Sequence, residues 1–268
     1  MKKRIAGLLM AFTLANSVLL AGCSSNEKAN GDHLARIKEA NKIVIAMEGQ
    51  WAPWTYHDES GDLVGFDTEV GKAIANKLGV EAEFVEGEWD GLFVGLDGGR
   101  YDVIINGVEI TEEREKKYDF ATPYAYIRTA LVVKKGNEDI KTFEDLNGKK
   151  TSNSLGSTYA DLAESYGATV QNVDTLGETI NMVLSERVDA TLNAEVSFYD
   201  YLKEIPDADI DIVALTEDAS KVAIPLVKGD DNASLKEAIN KAIEELEKDG
   251  TISELSVKYF GSDITKAQ

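Results

Sequence analysis

The chain is poor in the residues from which most metal sites and nucleophilic centres are built. Its 268 residues hold one cysteine, Cys23, and two histidines, His33 and His57. A zinc site, a disulfide and a Ser-His or Cys-His pair therefore have almost nothing to be made from, and neither a metal nor a cofactor is expected. Positive charge is scarce too. With 28 Lys+Arg against 48 Asp+Glu the formal charge is −20, and a surface of that sign repels phosphate backbones, so nucleic acid is not an expected partner. The glycines form neither G-x-G-x-x-G nor a Walker A loop, and no G-x-S-x-G occurs, which leaves nucleotide-binding and hydrolase readings without their motif. What is present is ordinary globular material. Hydrophobic residues make up 43% and charged ones 28%, enough for real cores in one large or two modest domains.

The first residues read as an address. Lys2, Lys3 and Arg4 precede an apolar run from Ile5 to Leu20, the charge-then-hydrophobe order of a secretory signal. The run holds Asn16 and Ser17 and falls short of the roughly 20 apolar residues that cross a bilayer. It ends in Leu20-Ala21-Gly22-Cys23, which resembles the lipobox of bacterial lipoproteins. That resemblance implies removal of residues 1–22 as a signal peptide and acylation of Cys23, so that palmitate-type chains tether the protein to a membrane. The polar stretch from Ser24 onward reads as a flexible leash, giving a linker over 23–33 and a folded part from about Leu34.

Strand and helix patterns then alternate. Lys42–Met47 (KIVIAM) is a buried strand by its β-branched apolar run. A helix follows over 67–78, with Asp67 or Thr68 as cap and Gly79 as a left-handed stop. Strands are expected at 81–86 and 101–105 with a short helix at 90–96 between them. Beyond 128 the pattern gives strands at 130–134, 150–155, 168–173, 189–193, 211–215 and 222–227. The helices there open at Thr142, at Ser157 and at a Thr175/Glu178 capping box. Leu235, Ile239, Ala242, Ile243 and Leu246 share one face of a long helix, and Thr251 with Glu254 reads as a second box opening the last one. About ten strands over this length suit an α/β protein with two small parallel sheets. The Pro123 region and Ala223-Ile224-Pro225 look like crossings, which would split the first lobe in sequence.

Three groups of residues could carry chemistry. Trp51, Trp54 and Trp89 lie beside expected turns and either wall a binding site or fill the core. Asn106-Gly107-Val108-Glu109 and on to Arg114 follow a strand end. Arg114 is either a planar fork for a carboxylate or one member of a solvated charged face. Ser154-Leu155-Gly156-Ser157-Thr158-Tyr159 joins a strand end to a helix start, which aims amides at an anion or is ordinary capping.

Taken together these segments resemble the family-3 extracellular solute-binding proteins, the amino-acid receptors of bacterial ABC importers. The motifs are Gly65-Phe66-Asp67, Trp89-Asp90-Gly91-Leu92, Gly99 to Ile105, Ile110-Thr111-Glu112-Glu113-Arg114, and Tyr118-Asp119-Phe120 to Pro123-Tyr124. The closing Lys248-Asp249-Gly250-Thr251 and Tyr259-Phe260-Gly261 fit the same pattern. The resemblance implies a two-lobe, type II periplasmic-binding fold with two hinge-crossing strands. Lobe 1 would be 34–126 and 222–268, and lobe 2 would be 127–221. It also implies that Arg114 holds a ligand α-carboxylate with the Glu109 amide and the Thr158 helix end, while Trp51 and Trp89 pack on the ligand's stem. Two positions depart from the family pattern. A hydroxyl residue is usual where Glu109 stands, and the aspartate that takes the α-ammonium is replaced by Ala194. Glu109 or Glu195 is therefore expected to supply that acceptor, unless Glu195 only opens the next helix. Details such as EGQWAPWTYHD and YFGSDIT are similar to the cystine-binding branch.

The expected ligand-binding set is thus Trp51, Trp54, Trp89, Asn106, Gly107, Glu109, Arg114, Ser157, Thr158 and Glu195, with no catalytic residue. The implied protein is a monomeric lipoprotein on the extracytoplasmic face of the cell membrane. It would capture an α-amino acid, polar or cystine, and pass it to an ABC permease and its ATPase. The alternative is a dehydratase-type enzyme on the same fold, acting on an amino-acid-like or prephenate-like substrate with Glu109 or Glu195 as general acid. A sensor domain is disfavoured because no transmembrane segment follows Gln268.

Overall fold

The computed structural model describes residues 32–267; Cys23, the signal and nearly all of the linker lie outside the described residues. Regular structure begins earlier than expected. Asp32 caps the His33–Ala40 helix by accepting from the Ala35 N–H at 3.0 Å, and His33 contacts Asp102 at 2.6 Å through Nε2.

Lys42–Met47 forms the centre of a three-stranded parallel sheet, flanked by Glu81–Glu86 and Val103–Ile104. Ile43, Ile45 and Met47 are fully buried, as a strand covered on both faces requires. The Phe66–Leu78 helix lays Val70, Ile74 and Leu78 into this core and stops at Gly79, whose φ is +71°. Its start differs from expectation. Gly65 is the cap, Asp67 turns inward to accept from Gly107 N–H and Tyr124 O–H, and the Thr68 hydroxyl donates to the Val64 carbonyl.

The second sheet has five strands in the order Thr169–Asn172, Lys150–Asn153, Ala190–Ala194, Thr129–Lys134, Ile210–Leu215. It corrects the expectation of parallel sheets. The first three strands run parallel, but Thr129–Lys134 is antiparallel to both neighbours because the chain enters this sheet directly from a crossing, without a helix. The helix expected at Thr142 is only a 3₁₀ turn, Phe143–Leu146.

Two antiparallel pairs connect the halves: Tyr118–Phe120 with Pro225–Val227, and Ala125–Ile127 with Ser220–Val222. The single strand expected over 222–227 is therefore two. Between them the chain changes partners, Ala223 N–H donating to Val108 and Ile224 O accepting from Ala121. The C-terminal helices Ala233–Lys248 and Thr251–Phe260 return to the first half. Leu235, Ile239, Ala242, Ile243 and Leu246 are all buried there. The second capping box does not form. Gly250, at φ +88°, precedes the last helix, and the Thr251 hydroxyl bonds Asp249 instead of Glu254.

Candidate functional site

Both parallel strand sets end at one cleft, the position where open α/β sheets present ligand sites. From the first half come Glu48 and Gln50 after the central strand, Trp89 after the second, and Gly107, Glu109 and Arg114 after the third. From the second half come Asn153 to Tyr159 after one strand, Asp174 to Leu176 after another, and Asn193. About 560 Å³ of empty space lies between them, counting the part open to solvent.

Arg114 spans the gap. Its Nη1 donates to the Glu109 carbonyl at 2.9 Å and its Nη2 to the Gly156 carbonyl at 3.1 Å on the opposite wall. The guanidinium lies 5.2 Å from the Trp89 ring centroid and 5.4 Å from that of Phe93, a stacked setting that favours a planar cation. Burial lowers its pKa and the Glu109 charge works against that lowering; arginine stays charged either way. Two of its five N–H donors are spent on carbonyls, leaving the rest for a planar anion.

Glu109 pairs with Val222 in an isolated antiparallel bridge whose hydrogen bonds are made by the flanking residues, Ile110 N to Lys221 O and Ala223 N to Val108 O. Its own N–H and C=O therefore turn away from that strand. Its carboxylate accepts from the Thr158 hydroxyl at 2.7 Å across the cleft. Burial raises its pKa, with hydrogen bonds from Ser220 and Thr158 opposing the rise. The Ser157 hydroxyl caps the Thr158–Ser165 helix by accepting from Ala160 N–H, which leaves the helix's first turn facing the site.

Trp51 lines the cleft, its Nε1 donating to Asn193 Oδ1 at 3.2 Å. Its ring lies against Gly107, where a Cβ would come within 2.6 Å of Cζ3. Only glycine fits there, at φ +57°.

Three expected residues fall elsewhere. Trp54 does not line the cleft: it stacks on Trp51 (5.2 Å, 19°), packs on Phe66 and Phe260, and donates to Ser197 Oγ at 3.2 Å from full burial. Asn106 sits beneath the wall and orients Glu48, its Oδ1 accepting from Glu48 N–H at 2.8 Å and its Nδ2 donating to Glu48 Oε2 at 2.6 Å. Glu195 faces away, held by Arg128 in a two-point ion pair at 2.7 and 3.1 Å. The helix-opening reading of Glu195 is the one its position fits.

Sequence reasoning missed Glu48, Gln50, Asn153, Asp174, Leu176, Thr179 and Asn193. Glu48 is the most consequential. Burial pushes its carboxyl from an ordinary 4.5 up to about 7, against the pull of the Asn106 amide. Its signal was available, since it is the first polar residue after the KIVIAM strand. Asp174 likewise precedes the Thr175/Glu178 capping box, which forms as expected. That box marks a second helix start directed at the cleft.

Residues 43–262 match the bacterial extracellular solute-binding proteins, family 3. The chain belongs to that family. It is 36% identical to the L-cystine-binding protein TcyA of Bacillus subtilis (strain 168), over 99% of this chain and all of TcyA. Among solved structures it resembles an ancestral arginine-binding protein bound to arginine, at TM-score 0.77 and 41% identity over 82% of this chain and 99% of the other. It also resembles the ancestral amino acid-binding protein AncCDT-1, a precursor of cyclohexadienyl dehydratase, at TM-score 0.77 and 31% identity over 85% and 99%. The family fold is the two-lobe, type II periplasmic-binding architecture, as the resemblance implied. No helix among the described residues is long and apolar enough to cross a membrane.

Proposed function

We propose that this family member is the extracytoplasmic receptor of an ABC importer and that it captures an α-amino acid between two lobes, 34–126 with 222–268 and 127–221. The observation that carries the reading is the bridge across the cleft. Arg114 and Glu109, on one wall, bond the other wall at the Gly156 carbonyl and at the hydroxyl of Thr158, the first residue of the 158–165 helix. A ligand that adds its own contacts to both walls stabilises the closed form by its differential affinity. The α-carboxylate would take the open Arg114 donors and the helix-start amides of Thr158, with Trp51 and Trp89 against the stem. Glu109 and Glu48 are the acids placed to receive an ammonium; Glu195 is not, being committed to Arg128. The cystine and arginine relatives give the first ligands to try. The Leu20–Cys23 lipobox supports tethering through Cys23 at the outer face of the membrane, from which the protein, as a monomer, would deliver its ligand to the permease of an importer driven by an ATPase.

A non-enzymatic role fits the binding-protein relatives. The buried Glu109, with its raised pKa, is nevertheless what a general acid on this fold would use. Calorimetric titration of ligand-stripped protein against the common amino acids and cystine tests the first reading, and incubation with prephenate and arogenate tests the second. Micromolar binding without turnover supports the receptor; a dehydrated product without amino-acid binding defeats it.

A further inference from the structure

The back wall of the cleft contains a hydrogen-bond acceptor that nothing in the protein satisfies. Asn153, at the end of the Lys150–Asn153 strand, is 1% exposed, and its Oδ1 has no partner. Its orientation is fixed from behind, because Nδ2 donates to the Leu192 carbonyl at 2.6 Å. Flipping the amide would set two oxygens against each other at that distance, so Oδ1 must be the atom that remains open. The neighbouring wall asparagine, Asn193, is different: its Oδ1 already accepts from Trp51 Nε1 and from Ala194 N–H. Buried polar atoms are almost always paired, and one left open on the wall of a cleft calls for a donor brought from outside.

We propose that Asn153 is a specificity-determining residue, its Oδ1 receiving an N–H from the distal end of the ligand's side chain. This deepens the amino-acid reading and rests on it. The ligand class is an α-amino acid whose side chain ends in a guanidinium, ammonium or amide. The surrounding charge agrees with an N–H, since Glu48, Glu109 and Asp174 line the cleft and Arg114 is the one cationic residue among the described residues that line it. A side chain that ends in an acceptor or a methyl group leaves Oδ1 buried and unpaired, and sites built for a hydrogen bond discriminate sharply against such analogues.

The test is a ratio of affinities. Ligand-stripped wild type and Asn153→Ala are titrated by calorimetry with L-arginine, L-glutamine and L-cystine, which carry a distal N–H, and with L-glutamate and L-norleucine, which do not. Wild type should prefer the best donor ligand over both controls, and Asn153→Ala should shrink that preference by roughly tenfold or more. A general folding defect lowers all five affinities alike and leaves the ratio untouched, so it does not mimic the effect. Norleucine or glutamate binding wild type as tightly as the donors overturns the proposal, as does an unchanged ratio in the variant. A crystal of the best complex showing water on Oδ1, with no ligand nitrogen there, also overturns it. If none of the five binds wild type, the amino-acid reading of the cleft fails instead.

Discussion

Glu48→Gln should make the ligand-free protein more stable at alkaline pH, although it replaces a well-bonded side chain. In the wild type the carboxyl titrates near 7 in the folded state, against an ordinary 4.5. The folded form therefore holds this proton more tightly than the unfolded chain does. Stability from it is fully present below about 4.5, falls as pH rises, and is gone above about 7. Each pKa unit is worth about 1.4 kcal/mol, so the whole swing is on the order of 3 kcal/mol. Glutamine keeps an oxygen for the Asn106 amide but carries no charge to bury. The advantage of the variant should thus be small at pH 5 and on the order of 2–3 kcal/mol at pH 8.5. Asp67 is also raised to about 7, but it is common to both chains and drops out of the difference. Urea unfolding of both proteins, stripped of ligand, at the two pH values measures the gap. A difference that does not grow with pH, or a variant less stable at pH 8.5, refutes the burial argument.

Other outcomes follow from the same geometry. Arg114→Ala should abolish calorimetric binding of L-arginine and L-cystine, and retained micromolar affinity would remove the guanidinium from the site. Gly107→Ala should displace the Trp51 ring, since its new Cβ has 2.6 Å to the ring and a φ of +57° to adopt. A shift in tryptophan emission and weaker binding are expected, and an unchanged spectrum counts against that contact. Glu195→Gln should lower the melting temperature by a few degrees, about 1 kcal/mol for a partly exposed pair losing its charge. It should leave ligand affinity as it was; a large affinity loss would return Glu195 to the cleft.

Much of the scaffold was legible because it is local. The KIVIAM strand, the Gly79 stop and the Thr175/Glu178 box each depend on residues within a few positions of one another. The site was legible only where a resemblance supplied it, as for Arg114 and Thr158. Trp51 and Trp54 show why the residues alone fall short. They are three positions apart and equally apolar, yet one edges the cleft and the other stacks behind it against Phe260 from the far end of the chain. Glu195 illustrates the converse, since its placement was decided by an arginine 67 positions away. Glu48 stands out as the first polar residue after an apolar strand, whereas Asn153 sits among Thr151, Ser152 and Ser154, and nothing local distinguishes it from those polar neighbours.

The return of the chain to its first sheet bears on the order of assembly during synthesis. The Phe66–Leu78 helix packs against Ala233–Lys248 and Thr251–Phe260, and Phe260 closes over Trp54. A ribosome that has made residues 32–126 has therefore produced a sheet without its lid, whereas the stretch from Thr129 to Leu215 already contains every strand of its own five-stranded sheet. The middle of the polypeptide can mature early, and the beginning must wait for the end. Such long-range closure slows the final step and keeps the nascent chain open for most of its production.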